Sequence, residues 1–485
     1  MKQKSLTINA FLSSIKTLAT ILFPLITYPY ITRVLSVENI GKINLGQSIV
    51  SYFSLMAGLG ISAFASRNGA RIRENRLLLN KFSNQMFTIN VISTIISCCL
   101  LIGLAFLPTK IAAYRGIILL QGITVAMSPL AVDWLYTIEE DFGYITIRSI
   151  AVQLLSLILM FTFVKSEKDV YLYVALTSMS TSLGNLFNFI HSRKYVKLKL
   201  ISDTHWNEYK NSILLFFINS VATVIYMNSD TTILGILKND YSVGLYSVAV
   251  KIYTIVKQVF NAVILTAIPR LAYLRNNDVR GFERLTKTMI SMATAFTIPA
   301  AFGIIILRKE IITLISGSSY LEAALTLSIL AVAIFFGVLA NILANGVLIC
   351  MGREKYVVKA TIVSAIENAA LNFIFISAFS QNGAAFTTLL AEMTVFGMSL
   401  YYSRDVIIRM VDGSEFRNAI LGSVLMLLVS FPLMNLLSEC DLIIRIAAVI
   451  VVCSGVYTLV LLAFKDKVLR NVISQVKKKL HKKED

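Results

Sequence analysis

Three lysines, Lys16, Lys251 and Lys257, stand inside stretches apolar enough to cross a bilayer, and Arg33 closes the first of those stretches. A charged side chain at mid-bilayer costs about 2.5–3.5 kcal/mol on insertion scales, so it faces a protein interior or a wet cavity. Several cations held this way would draw in an anion. Asp133 and Asp230 are the expected counter-ions for some of them, because an unpaired buried charge is costly. Glu367 and Glu392 lie in two later apolar stretches and read either as an ion-coupling pair or as partners for Asn368, Asn372 or each other.

Uncharged polar residues recur at helical spacing beside these cations. Asn9, Ser13, Lys16 and Thr20 share one face, as do Asn44, Gln47, Ser51 and Ser54. Ser178, Thr181, Asn185 and Asn188 form a third stripe, Asn219, Thr223, Tyr226 and Asp230 a fourth, and Tyr253, Lys257 and Asn261 a fifth. One such residue is ordinary hydrogen-bonding glue between membrane helices. Five stripes, two of them carrying lysine, point to a hydrated cavity lined by Asn44, Gln47, Tyr226, Tyr253 and Asn261.

Catalysis finds no footing. The chain has no G-x-x-x-x-G-K-[ST] phosphate loop. Cys98, Cys99, Cys350, Cys440 and Cys453 lack metal-ligand spacing, and His191, His205 and His481 are scattered. Neither a catalytic centre nor a metal or other cofactor is expected, though sodium or proton coupling, or the membrane potential, could drive a transport step. Glu139, Glu140 and Asp141 sit in a short loop, where a solvated face or a helix cap is the default reading.

The elements that must position these residues are membrane helices. Of 485 residues, 56% are hydrophobic and 15% charged, against about 45–50% and 25% in soluble domains. Continuous runs such as "VISTIISCCLLIGLAFL" (91–107) exclude a β-barrel, whose strands alternate over about ten residues. The expected fold is an all-α polytopic membrane protein of about fourteen transmembrane helices. Their spans run near 8–31, 43–66, 82–107, 116–137, 145–164, 170–190, 211–236, 244–268, 288–307, 322–350, 357–379, 383–402, 419–437 and 442–464. Most of the 45 Lys and Arg fall in loops on the side that holds both termini, so the net charge of +18 is a topology signal. By the positive-inside rule that side is the cytoplasm, and no nucleic-acid partner is needed to explain the charge.

The chain repeats itself. Gly41, Arg67 and Lys81 are matched, at one constant offset, by Gly244, Arg270 and Arg284. Two six-helix lobes, related by a pseudo-two-fold axis along the membrane normal, follow from matches on spans facing the same way. The first lobe takes residues 1–195 and the second 211–402, with a cytoplasmic linker at 196–210. Helices thirteen and fourteen (419–464) stand outside the repeat. The tail 465–485 has Val468, Val472, Val476 and Leu480 at spacing four among lysines, suited to an anionic membrane surface or to solution. Pro24 and Pro29 each remove a backbone donor from the first helix, so they read as its hinge.

Four stretches carry a family likeness: "FPLITYPYITRVLSVENIGKINLGQSIVSYF", "ASRNGARIREN" with "LLNKFSNQMFTIN", "DWLYTIEEDFGYITIRSI" and "DTTILGILKNDYSVGLYSVAVKIY". In order and together they resemble the Wzx-type oligosaccharide flippases, the polysaccharide-transport branch of the multidrug/oligosaccharidyl-lipid/polysaccharide exporter superfamily. The third stretch has Thr137-Ile138 where that family usually has Gln-Gly. The resemblance implies transport of an oligosaccharide on undecaprenyl pyrophosphate from the inner to the outer leaflet of the bacterial cytoplasmic membrane, by alternating access. O-antigen, capsule or exopolysaccharide assembly would use it, with membrane lipids and a polysaccharide polymerase and chain-length regulator as partners. On that reading Lys16, Lys251 and Lys257 receive the pyrophosphate, and Arg33 meets it at the exit or anchors the interface. Asn44, Gln47, Tyr226 and their neighbours contact sugar. A peptidoglycan-precursor flippase, a drug or cation exporter of the same superfamily, and a membrane polymerase or glycosyltransferase are the rival readings.

Overall fold

The computed structural model describes residues 6–407 and 413–466, and among them every regular element is helical. In chain order the α-helices are α1 Leu6–Val34, α2 Val37–Gly58, α3 Ile61–Arg71, α4 Arg76–Phe106, α5 Arg115–Ala126, α6 Asp133–Ile138, α7 Phe142–Phe163 and α8 Val170–Ser192. They continue as α9 Trp206–Leu237, α10 Asp240–Asn277, α11 Val279–Ile306, α12 Arg308–Ser316, α13 Ala323–Asn341, α14 Glu354–Ile407, α15 Gly413–Leu436 and α16 Leu442–Ala463. Among the described residues, eleven stretches are long and apolar enough to cross a membrane. α14 is two helices joined at Ser380, whose backbone is non-helical. Counting those separately, and adding α1 and the Ser-rich α8, recovers the fourteen spans. The basic tail reading falls on residues outside those described.

Two compact units divide the chain, Met1–Gly244 and Leu245–Asp485. α9, which the repeat assigns to the second half, is grouped with the first unit because it packs along α2. Ser48 and Tyr52 of α2 both reach the Thr232 hydroxyl of α9, at 3.0 and 3.1 Å.

In the first unit the loop-end core is built by Phe64, Leu79, Phe82, Met86, Trp134, Leu135, Tyr136 and Ile213, all buried. Span two is broken there: Leu59 and Gly60 both have positive φ, and α3 leaves in a new direction. The break strands carbonyls at the end of α2, and α4 satisfies them. Asn90 and Ser93 donate to the Ala57 carbonyl at 2.7 and 2.6 Å, and Ser97 donates to Phe53 at 2.6 Å. Polar residues inside hydrocarbon thus do the capping that water does elsewhere. Gly60 has φ of 71°, and a Cβ there would lie 2.8 Å from the Phe217 nitrogen. Gly60→Ala is expected to destabilise the protein by about 1–3 kcal/mol, the usual range for overpacking, read as a lowered melting midpoint of the purified protein.

The start of α2 crosses the start of α10 backbone to backbone. A Cβ on Gly41 would lie 1.8 Å from the Asp240 carbonyl oxygen, and one on Gly244 would lie 2.1 Å from that of Val37. Val37 and Asp240 stand at the same offset as Gly41 and Gly244. Each contact is therefore the image of the other, as two-fold packing requires. Small residues are what let membrane helices approach so closely.

The second unit has its own polar seams. Thr326 donates to the Asn382 side chain at 2.7 Å, and Asn372 donates to Asn368 at 3.2 Å. α13 ends in a π-helical turn, Ile342–Leu348. At that transition Asn341 donates to the Asn261 side chain at 2.6 Å.

Candidate functional site

Half-way along α10, Tyr253 and Lys257 fall one turn apart on the face toward α13 and the second half of α14. Lys257 forms an ion pair with Glu392 of α14. The Tyr253 hydroxyl donates to the same carboxylate at 2.7 Å and accepts from the Lys257 ammonium at 3.0 Å. The glutamate side chain is 5% exposed and the lysine 21%. Gly337 makes the space, because a Cβ there would lie 2.7 Å from Glu392 Oε2 and 2.8 Å from Lys257 Nζ. Glu392 is thus the counter-ion of Lys257. Glu367 is half-buried in the other half of α14, and the Asn368–Asn372 seam continues to the Thr387 hydroxyl.

Around this pair stand other residues singled out by sequence. Lys251 is half-buried further back on α10, and Asn261 continues the stripe through Asn341. These belong to the second unit.

The remaining candidates lie in the first unit. α1 runs helical through Pro24 and Pro29, so neither proline interrupts it. Lys16 is half-buried, and Arg33 is exposed and donates to the Pro29 carbonyl at 3.3 Å. Asn44 donates to the Ile40 carbonyl of its own helix at 2.8 Å, whereas Gln47 is exposed. Tyr226 is half-buried and Asp230 is 6% exposed.

Asp133 departs from its expected role. It accepts from the Asn188 amide at 2.6 Å and lies 3.9 Å from Arg148, so its cation is an arginine of α7 and not a membrane lysine. The reason is topological: α6 is six residues long and leads straight into α7, and α8 returns beside both.

Arg148 itself is the residue that sequence reasoning missed. Its side chain, 13% exposed, lies in α7 and donates to the Gly184 carbonyl of α8 at 2.7 Å. It opens on a polar cavity of about 370 Å³ bounded by Phe23 of α1 and by one face each of α7 and α8. The signal was present. Arg148, Ser149, Val152, Gln153 and Ser156 recur at one, four, five and eight residues, but Arg148 reads as loop charge when counted by side.

The second unit also holds apolar cavities among its described residues. One of about 320 Å³ lies between α11, α13, α14 and α15, walled by Phe335, Phe336, Phe396 and Phe416, with Lys287 at its edge. Another, about 350 Å³, lies between α11, α15 and α16 and is lined by Phe296, Pro299, Met426, Val449 and Tyr457.

The comparisons with known proteins bear on the family and the fold. A family described as "Polysaccharide biosynthesis protein" matches residues 6–275. An Escherichia coli K12 protein provisionally named an O-antigen transporter is 23% identical over 398 residues, 79% of this chain and 93% of its own. The probable low-salt glycan biosynthesis flippase Agl15 of Haloferax volcanii is 28% identical over 190 residues, 38% of this chain and 40% of its own. Among solved structures, the lipid II flippase MurJ in an inward closed conformation superposes with a TM-score of 0.73 at 16% identity, covering 96% of this chain and all of that one. An inward-facing multidrug resistance MATE transporter gives 0.61 at 15% identity, covering 82% and 98%. At such identities the structures establish a shared fold. The family match spans more than half of the chain, and with it the likeness to Wzx-type flippases is borne out: this multi-pass membrane protein belongs to the polysaccharide biosynthesis protein family.

Proposed function

We propose that the protein flips a lipid-linked oligosaccharide, carried on undecaprenyl pyrophosphate, from the inner to the outer leaflet of a bacterial cytoplasmic membrane by alternating access. The observation that carries this reading is a set of cations held at membrane depth, Lys257 above all, in a chain of the polysaccharide biosynthesis family. The relatives' names, O-antigen transporter and glycan flippase, supply the kind of cargo.

The pyrophosphate would be received by Lys257, Lys251 and Lys16, with Arg33 near the exit and Pro24 and Pro29 serving as the hinge of the first helix. Sugar would meet Asn44, Gln47, Tyr226, Tyr253 and Asn261. Apolar walls such as the cavity between α11, α15 and α16 suit a prenyl chain, whose burial yields about 0.8 kcal/mol for each CH₂. With both termini in the cytoplasm, an inside-negative potential favours outward movement of an anion by about 2.3 kcal/mol per charge and 100 mV. Ion coupling through Asp230, Glu367 or Glu392 would add to it, and a polymerase with its chain-length regulator would take the product.

A peptidoglycan precursor is the second reading, favoured by the overlap with the lipid II flippase fold. Complementation separates the two. The gene is expected to restore surface polysaccharide to a strain lacking its O-antigen or capsule flippase, and not growth to one lacking its lipid II flippase. Rescue of growth alone would overturn the proposal.

A further inference from the structure

We infer that the cavity between α1, α7 and α8 is a subsite for an acidic sugar, with Arg148 receiving its carboxylate; the inference rests on the flippase reading above. The donor and acceptor inventory of the walls specifies the ligand. Thr177, Ser180 and Thr181 donate their hydroxyl hydrogens to carbonyls of their own helix, at 3.0, 2.7 and 3.1 Å. Their oxygen lone pairs are what remains, so that wall offers acceptors. It therefore suits a ligand rich in O–H donors, as a glycan is.

Across the cavity the offer is reversed. Arg148 is the one cation among the described residues that line it. Its Nη1 is held by the Gly184 carbonyl, and its Nε is buried without a partner, as is Gln153 Oε1 one helical turn away. A buried polar atom left unpaired costs about 1–3 kcal/mol, and a carboxylate and a hydroxyl would satisfy this donor and this acceptor. Gly184 is part of the arrangement, since a Cβ there would lie 3.0 Å from Arg148 Nη1.

Charge and size narrow the class further. Asp133, 3.9 Å from Arg148 Nη2, already faces this guanidinium, so what the cavity leaves open is the Nε donor, which one carboxylate oxygen fills, whereas a pyrophosphate would call for more cations than this cavity holds. A metal cation, which the acceptors alone would tolerate, is repelled by Arg148. The volume of about 370 Å³ falls within the usual range for small-molecule sites, about 300–1,000 Å³. The subsite thus reads one uronic-acid-type residue of the oligosaccharide, apart from the lysines proposed for the pyrophosphate.

The test uses the full chain in lipid nanodiscs and three probes: a glucuronosyl disaccharide, its neutral methyl ester, and inorganic pyrophosphate. Calorimetry is expected to show the acid binding at least about tenfold tighter than the ester, the scale of one charge-assisted hydrogen bond. Arg148→Gln should bring the acid down to the ester. Gln153→Glu, nearly isosteric, places a like charge beside the carboxylate and should weaken the acid more than the ester, narrowing the preference between them. It keeps the test alive if the arginine variant fails to fold. Equal binding of acid and ester by the native protein would overturn the subsite, as would native-like acid binding by both variants. Loss of pyrophosphate binding in Arg148→Gln as large as the loss of acid binding would show that the cavity reads phosphate instead. A native protein that flips lipid-linked oligosaccharide yet fails to discriminate acid from ester would lose the subsite and keep its function.

Discussion

Replacing Lys257 by Ala is expected to abolish surface polysaccharide in a complemented flippase-null strain. The substitution strands Glu392, whose side chain is 5% exposed, beside the Tyr253 hydroxyl. Removing one partner of a buried ion pair costs about 3–5 kcal/mol, so the melting midpoint should fall too. Glu392→Ala should melt early for the same reason. A structural role and a transport role are separated by the exchanged pair, Lys257→Glu with Glu392→Lys. It restores a charge pair against Gly337 and should recover most of the melting midpoint. It moves the cation to a different helix, however, and is expected to leave transport at least about tenfold down, the loss of one contact worth about 1.4 kcal/mol. Full transport by the exchanged protein would show that the pair serves stability alone.

The second large effect is expected at the crossing of α2 and α10. Gly41→Ala puts a methyl group 1.8 Å from the Asp240 carbonyl oxygen, and Gly244→Ala puts one 2.1 Å from that of Val37. Both obstacles are backbone, which cannot rotate away as a side chain would. The helices must separate by roughly 1.4–1.7 Å to regain ordinary contact near 3.5 Å. That separation would also strain the bond from the Tyr114 hydroxyl to Asp240, now 2.6 Å. Each variant should reach the membrane at normal levels and lose most surface polysaccharide, and the double variant should be no worse than either single. Native-level polysaccharide from both would show that the crossing opens freely.

Much of this architecture was legible in the sequence because hydrocarbon imposes it. Each span is apolar enough on balance that hydropathy located fourteen helices even where Ser178, Thr181 and Asn185 dilute α8. The repeat was legible through glycines, and the reciprocal Gly41 and Gly244 contacts give its physical cause. Where helices break was harder to see. Gly60 announces itself as a residue tolerant of positive φ, but Ser380, with φ of 53° and ψ of −131°, does not.

The pairing of charges was least legible. Lys257 and Glu392 are separated by 135 residues, and nothing local to either names the other. The sequence instead left Glu392 open to ion coupling or to Asn368, Asn372 or Glu367, and offered Asp133 the cations at Lys16, Arg33, Lys251 and Lys257. Arg148 was hidden differently. It stands one turn and a half into α7, where a charge counts equally as the end of a loop or the start of a cavity.

The most direct test of the flippase account is a leaflet assay. Reconstituted into liposomes, the protein would be given a fluorescent undecaprenyl-pyrophosphate-linked oligosaccharide, whose exposure is read by a membrane-impermeant glycosidase. The account predicts that the protected half of the lipid becomes accessible within minutes with the native protein, and stays protected with Lys257→Ala. Protection unchanged by the native protein, at a density where every vesicle holds a copy, would contradict it.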